Sequence, residues 1–188
     1  MIPTLAIYLV LGYMPHQELP WALQTNIQQV DLIDADRYFE DVLASEYTRI
    51  SCPNDGSCFY HAIAQSLSCE MISVRQTLRA FLEDNHHSLE HLNDDVLSEL
   101  FLESEFEALL DSVGNTATSQ DGRGGLPHAK LAAWAYKVPV VIFSHLFPEA
   151  PIVFDTDMEG SLLRGNPVVL IYNGTSHWDR LVPHTDLI

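Results

Sequence analysis

One cysteine, Cys58, has the sequence context of a reactive thiol, in the stretch PNDGSCFYHAI at residues 53–63. A proline and an Asn-Asp-Gly turn precede Cys58, and an apolar-periodic helix begins at once. A thiol at a helix N-terminus lies under unpaired backbone N–H groups and the positive end of the helix dipole. Both features stabilise a thiolate and can later stabilise an oxyanion, so the pattern predicts a nucleophilic cysteine.

A thiol nucleophile needs a base, and the base needs a residue that orients it. Side chains alternate along a strand, so His177 and Asp179 are predicted to face one side and Trp178 the other. Two residue rises separate the Cα atoms of His177 and Asp179 by roughly 6.5–7 Å. The carboxylate can then accept the ring Nδ1–H and leave Nε2 for the thiol of Cys58. His61, one helical turn after the cysteine, stays an alternative base.

Two other kinds of site are weighed against this thiol chemistry. Cys52, Cys58 and His61 have the spacing C-x5-C-x2-H, but no CxxC pair is present and the intervening helix would separate the ligands. We therefore expect no metal site, and we interpret Cys52 and Cys69 as small buried residues. The Gly-rich loop at residues 114–127 lacks the preceding strand and the Lys-Ser/Thr ending of a phosphate-binding loop.

The elements that must position these residues follow from hydrophobic periodicity and capping signals. Helices are predicted over 35–47 with Asp34 as cap, over 58–67, from a cap at Ser73, over 94–113 with Gly114 as stop, and over 128–136. Strands are predicted in the apolar opening and at 139–144, 151–154, 167–172 and 177–182, the last two as a hairpin. Helices followed by a sheet-rich half predict an α+β or mixed α/β fold.

Composition limits the classes of partner. The chain has 188 residues, 9 Lys and Arg together, and a formal net charge of −17, so phosphate backbones should repel it and we expect no nucleic acid. The acidic region between Arg79 and Arg123 fits either a solvated helix face or a partner-binding arm. The opening Met1 to Tyr13 is too short to span a bilayer, and we interpret it as a buried strand, with an uncleaved signal-like segment as the alternative.

Three blocks occur in the order found in one known family. Residues 55–60, DGSCFY, followed by His-Ala, resemble the Asp-Gly-x-Cys signature of the ovarian tumour (OTU) family of cysteine deubiquitinases. Residues 124–143 resemble its Gly-Gly loop, helix and Val-Pro-Val-Val strand. Residues 168–179 resemble its last block, which is an apolar strand, Tyr-Asn, a short loop and His-aromatic-Asp. The resemblance covers roughly residues 50–183.

This resemblance implies a papain-like OTU fold, a central mixed β-sheet flanked by helices, and a thiol hydrolase that cleaves ubiquitin from lysine side chains without a cofactor. Cys58 would be the nucleophile, with a pKa lowered to about 4–7 by the helix and by His177. His177 would be the general base and acid, and Asp179 would orient it. The backbone N–H groups of Asp55, Gly56, Ser57 and Cys58 would form the oxyanion hole. Substrate would be bound by Trp178, Asn173, Gly124 and Gly125.

The resemblance also divides the chain. Residues 1–35 would be an N-terminal extension, which adds a strand or a substrate-binding element, and residues 36–188 the OTU-like domain. The expected partner is ubiquitin or polyubiquitin, bound by a monomer with no membrane contact. The low, odd count of 3 cysteines favours a reducing compartment, the cytoplasm, or the host cytoplasm for a viral protein or bacterial effector. A ubiquitin-binding module without activity and a protease for another ubiquitin-like modifier stay open.

Overall fold

The structure is a computed structural model that describes residues 35–90, 103–114, 124–174 and 176–187. Several predictions lie outside these ranges: the opening strand, the cap at Asp34 and the start of the helix at 94. The division of the chain at residue 35 stays a prediction. None of the helices in the described ranges is long and apolar enough to cross a lipid bilayer.

Five helices and five strands make up the described chain. In order they are α1 (Ala35–Tyr38), which continues into a π-helical turn (Phe39–Leu43), β1 (Tyr47–Ile50), α2 (Cys58–Leu67), α3 (Met71–Glu90), α4 (Glu103–Gly114), α5 (Leu126–Tyr136), β2 (Val140–Ser144), β3 (Ile152–Phe154), β4 (Val168–Tyr172) and β5 (Trp178–Pro183), followed by a 3₁₀ turn (His184–Leu187).

The strands form one mixed sheet in the order β1-β5-β4-β2-β3. β5 lies antiparallel between β1 and β4, β4 runs parallel to β2, and β3 closes the edge antiparallel to β2. The predicted hairpin of the last two strands is thus confirmed, and so is the α+β fold class. The late strand β5 joins β1, from before the nucleophile, to the strands of the second half.

Both faces of the sheet are covered, which explains why β4 is a continuous apolar run. Val168 and Leu170 point into the larger core with Phe59 and Ile63 of α2, as the four-residue spacing on that helix predicts. Successive residues of a strand point to opposite faces. Ile171 accordingly points to a second cluster, which Tyr38, Leu43, Val169 and Leu181 complete.

The helix predicted over 35–47 is shorter than its periodicity suggests. Helical structure ends at Leu43, Val42 is exposed, and Tyr47 begins β1 opposite Pro183. The Tyr47 ring also packs against Phe143 of β2, with centroids 5.4 Å apart. Pairing with β5 therefore overrides the local helical pattern.

Two other helix starts differ from prediction. α3 begins at Met71, and the N–H groups of Ser73 and Val74 both donate to the carbonyl of Glu70, so Ser73 is not the cap. α5 begins at Leu126 rather than at residue 128, because Gly125 is its N-cap and a proline occupies its first turn.

Candidate active site

The structure brings the three residues of the predicted triad together. Cys58 is the buried first residue of α2, His177 directly precedes β5, and Asp179 lies within that strand. His177 Nε2 is 2.9 Å from Asp179 Oδ1. Cys58 Sγ is 3.5 Å from the carbonyl oxygen of Ser176, the residue before the histidine. The N-terminus of α2 and the β4–β5 turn therefore meet at one place.

The predicted ring orientation of His177 is wrong. Nε2, not Nδ1, faces Asp179, and Nδ1 is buried without a hydrogen-bond partner among the described residues. His177 lies in the turn before the strand, and its N–H donates to Asn173 Oδ1 at 2.8 Å, so the pleat of β5 does not set its ring. Nδ1 is the nitrogen that remains for the thiol.

The lowered thiol pKa expected for Cys58 is also wrong in this state. Burial raises the pKa of Cys58, and the backbone N–H groups of Trp178 and Phe59 only partly oppose this, while the negative charge of Asp55 adds to it. A neutral thiol fits the geometry, because Sγ–H donates to the Ser176 carbonyl. The Cys58 thiol is therefore bonded to the Ser176 carbonyl and not to the imidazole of His177.

The Asp179 carboxylate is held from three sides. Its Oδ1 accepts the backbone N–H of Cys52 at 2.7 Å and faces His177, and its Oδ2 accepts Arg49 Nε–H at 2.7 Å. The Asp179 side chain is 2% exposed. Sequence reasoning missed Arg49, because no strand is predicted between the helix over 35–47 and the stretch at 53–63, so nothing in the sequence links Arg49 to β5. Burial lowers the pKa of Arg49, but hydrogen bonds to Asp36 and Asp179 outweigh it and leave that pKa raised.

The turn before the nucleophile is fixed by its own side chains. Asp55 Oδ1 accepts the Ser57 N–H at 2.8 Å, and Gly56 adopts φ +81°, a left-handed conformation that glycine accommodates. Among the four N–H groups expected to form the oxyanion hole, that of Ser57 thus already has an acceptor. His61 Nε2 contacts Asp55 Oδ2 at 3.0 Å. The alternative base therefore has a carboxylate partner of its own in this turn.

Arg75 ties the same turn to α4. It is buried, and it donates to Ser57 Oγ at 2.9 Å and to the carbonyls of Ser112 and Val113 at 2.9 and 3.1 Å. Its guanidinium carbon lies 3.6 Å from the centroid of the Tyr60 ring. The sequence offered no signal for this residue beyond a cation near the apolar positions Val74 and Leu78 of the same helix.

Trp178 packs inside the protein. It is 1% exposed, its ring stacks on Tyr172 with centroids 4.5 Å apart, and Nε1–H donates to the Gly124 carbonyl at 2.8 Å. Phe59 meets it edge-on and also lies against Gly124, where a Cβ atom would be 2.4 Å from the ring. The tryptophan therefore packs against Phe59 and Tyr172 and is hydrogen-bonded to the Gly-Gly segment through Gly124.

The remaining predicted binding residues shape loops. Asn173 Oδ1 accepts the N–H groups of Ser176 and His177, at 2.9 and 2.8 Å. The Gly125 N–H donates to His128 Nδ1 at 3.0 Å, and His128 Nε2 contacts Ser112 Oγ at 2.8 Å. Substrate binding by Trp178, Asn173, Gly124 and Gly125 stays a prediction.

Burial differs among His128, Cys52 and Cys69. Burial lowers the pKa of His128 to about 4, so this structural histidine is neutral at pH 7. Cys52 is buried as expected, and burial raises its pKa to about 12. Cys69 is exposed, contrary to expectation, because it follows the left-handed C-cap of α2 at Ser68. Within the described ranges no cluster of His, Cys, Asp and Glu side chains is arranged to hold a metal ion.

Solved structures share this fold at low sequence identity. The viral OTU domain protease from Dera Ghazi Khan virus is 17% identical with a TM-score of 0.53, covering 75% of this chain and 83% of its own. The OTU domain of OTUD1 is 14% identical with a TM-score of 0.52, covering 80% and 96%. An OTU domain solved in complex with ubiquitin is 16% identical with a TM-score of 0.52, covering 74% and 71%.

The other comparisons find nothing: no protein-family model and no curated protein sequence matches this chain. The structural similarity establishes the fold, which is that of OTU domains.

Proposed function

We propose that this chain is a cysteine deubiquitinase of the OTU family that hydrolyses the isopeptide bond after the C-terminal glycine of ubiquitin. One observation carries the proposal. The His177–Asp179 pair leaves Nδ1 buried and without a hydrogen-bond partner in the described chain, and the residue before the histidine accepts the thiol of Cys58 at the start of α2. An OTU-fold neighbour solved in complex with ubiquitin supports the choice of substrate.

The first chemical step needs the thiol to change its partner. Cys58 Sγ–H leaves the Ser176 carbonyl and turns to His177 Nδ1, which takes the proton. The sulfur then attacks the carbonyl carbon after the last glycine of ubiquitin. Asp179, bonded to Nε2–H, stabilises the imidazolium that forms and keeps the ring from turning.

The loop before α2 supplies the oxyanion site. The carbonyl oxygen of the substrate gains the negative charge as the tetrahedral intermediate forms. Backbone N–H groups of Asp55, Gly56 and Cys58 are the available donors, since that of Ser57 is bonded to the Asp55 carboxylate. Each such donor is worth about 3 kcal/mol to the transition state.

Release of the products returns the site to its starting state. The imidazolium of His177 gives its Nδ1 proton to the departing lysine amine, and a thioester joins Cys58 to ubiquitin. A water molecule then loses a proton to Nδ1 and attacks the thioester carbonyl. The bond to sulfur breaks, ubiquitin leaves as a carboxylate, and the thiol is reprotonated. No metal or organic cofactor is required by these steps.

A second candidate is an OTU-fold module that binds ubiquitin without cleaving it. The raised pKa of Cys58 and its bond to the Ser176 carbonyl favour this alternative, because the thiol and the imidazole are not paired in the resting state. Hydrogen bonds of catalytic groups often tighten only when substrate binds, so the hydrolase remains the better account.

The test is a ubiquitin that carries a C-terminal electrophile, incubated with the folded protein at micromolar concentration. Intact mass should increase by one ubiquitin in the wild type and in Cys69→Ala, a matched control for an exposed thiol, but not in Cys58→Ala. Absence of an adduct, with the fold verified by circular dichroism, contradicts the proposal. Ubiquitin binding measured by calorimetry under the same conditions would then support the non-catalytic module.

A further inference from the structure

Arg49 connects two carboxylates that are far apart in the chain. Its Nε–H donates to Asp179 Oδ2 at 2.7 Å, and its Nη1–H donates to Asp36 Oδ1. The Arg49 side chain is 20% exposed, whereas Asp36 is 75% exposed. A continuous line of hydrogen bonds therefore runs from the surface, through the guanidinium, to His177.

The register of the sheet explains how Arg49 reaches the site. β1 pairs antiparallel with β5, and Arg49 lies opposite Leu181. Asp179 and Leu181 are two residues apart on β5 and share one face, so a long side chain opposite Leu181 can reach Asp179 diagonally. The Phe39 ring, with its centroid 5.9 Å from the guanidinium carbon, and Asp36 cover Arg49 from the first helical segment.

We propose that Arg49, backed by Asp36, is a positioning residue that sets the Asp179 carboxylate for His177. Torsion about the terminal bond of an aspartate is broad, so one oxygen alone does not fix the plane of the carboxylate. Oδ1 faces His177 and the Cys52 N–H, and Arg49 holds Oδ2. Because Asp179 matters catalytically only if the site is a hydrolase, the effect on turnover rests on the proposed function.

Asp36 also changes the net charge around the Asp179 carboxylate. A guanidinium beside Asp179 would by itself offset the negative charge that stabilises the imidazolium. The carboxylate of Asp36, on the other side of the guanidinium, leaves the line of three groups with one net negative charge. Since Asp36 is largely exposed and screened, its removal should matter less than removal of Arg49.

The first measurement does not depend on ubiquitin. Iodoacetamide alkylation of Cys58 is followed by peptide mass spectrometry, which separates it from alkylation of Cys69, in wild type, Arg49→Gln, Arg49→Lys and Arg37→Gln. Loss of a charge-assisted hydrogen bond should slow alkylation in Arg49→Gln about tenfold at neutral pH. Arg49→Lys should recover part of the rate. Arg37→Gln, which removes an exposed arginine from α1, should stay within about twofold.

A second measurement separates positioning from substrate binding. With a cleavable ubiquitin substrate, Arg49→Gln should lower kcat about tenfold and leave KM unchanged, because the residue acts through Asp179 rather than on ubiquitin. If the wild type does not cleave the ubiquitin substrate but the variants keep the expected order of alkylation rates, the proposed function fails and the positioning role of Arg49 stands.

Folding is checked by circular dichroism and urea unfolding for each variant. If Arg49→Gln does not fold, Arg49→Lys and Asp36→Asn test the positioning role in its place. Each should slow Cys58 alkylation about two- to threefold relative to Arg37→Gln. A folded Arg49→Gln that is alkylated at the wild-type rate overturns the proposal. So does a His177→Ala variant that is alkylated as fast as wild type, because alkylation would then not depend on the imidazole that Asp179 and Arg49 orient.

Discussion

Gly124→Ala tests how tightly the glycine segment is fitted to the helix that carries the nucleophile. A Cβ atom at Gly124 would lie 2.4 Å from two ring carbons of Phe59 and 2.6 Å from its Cβ, whereas ordinary contacts begin at 3.4 Å. The overlap is about 1 Å, so either the ring or the loop has to move. Phe59 is fully buried and packs against the rings of Tyr60, His128 and Trp178.

Both ways of relieving this overlap are costly. Forcing an extra methyl group into a packed core costs about 1–3 kcal/mol. Displacing the loop instead takes the Gly124 carbonyl away from Trp178 Nε1–H, and an unsatisfied buried donor costs about 1–3 kcal/mol as well. We therefore expect Gly124→Ala to lower the free energy of unfolding by about 2 kcal/mol, and to slow any reaction of Cys58, the residue before Phe59.

The adjacent glycine supplies the control. Among the residues that the structure describes, a Cβ atom at Gly125 would meet only Pro127 Cδ, at 3.6 Å, and the Gly125 φ of −121° suits any residue. Gly125→Ala should lower the free energy of unfolding by less than about 1 kcal/mol, the cost of a less favourable N-cap. Urea unfolding followed by tryptophan fluorescence measures both. Equal stability of the two variants would refute the packing argument, and Phe59→Leu should relieve Gly124→Ala in a double-mutant cycle.

Two further predictions concern His128 and Asn173. His128 has a pKa of about 4 in the folded protein and about 6.5 unfolded, so its contribution to stability is present above pH 6.5 and is lost as the pH falls towards 4. His128→Gln keeps an acceptor in the first turn of α5. Between pH 7 and 4.5 its free energy of unfolding, measured with urea, should therefore fall by about 2–3 kcal/mol less than that of wild type. An equal fall in both proteins would contradict this prediction. Asn173→Ala removes the acceptor for the N–H groups of Ser176 and His177 and should lower kcat about tenfold, whereas the exposed Asn166→Ala should not. Equal kcat values for the two asparagine variants would show that other contacts hold the turn.

The parts of the site that the sequence predicted depend on local order. Helix α2 runs from Cys58 to Leu67 as its periodicity indicates, and an Asp-Gly turn marks its start in the sequence. β4 and β5 form the predicted hairpin, and His177 and Asp179 are close because a single residue separates them in the chain. Residues close in sequence, or fixed by one turn, could therefore be assigned to one site.

The parts that the sequence did not predict depend on tertiary neighbours. β1 exists because β5 pairs with it, so Arg49 could not be connected with Asp179 from periodicity. The orientation of His177 depends on the Asn173 side chain, and the raised pKa of Cys58 depends on burial. A helix dipole favours a thiolate, yet here desolvation outweighs it, and only the folded surroundings reveal which effect is larger.

The position of β5 has a consequence for how the protein folds. Its neighbours in the sheet are β1, which comes before the nucleophile, and β4, which comes more than a hundred residues later. Contacts of such high sequence separation form late and slowly, since the intervening chain must first be ordered. β1 has no other partner in the described sheet, so Arg49 reaches Asp179 only when β5 inserts. A partly folded chain would thus expose the Cys58 thiol without His177 beside it, and the two side chains would come together in a single late event.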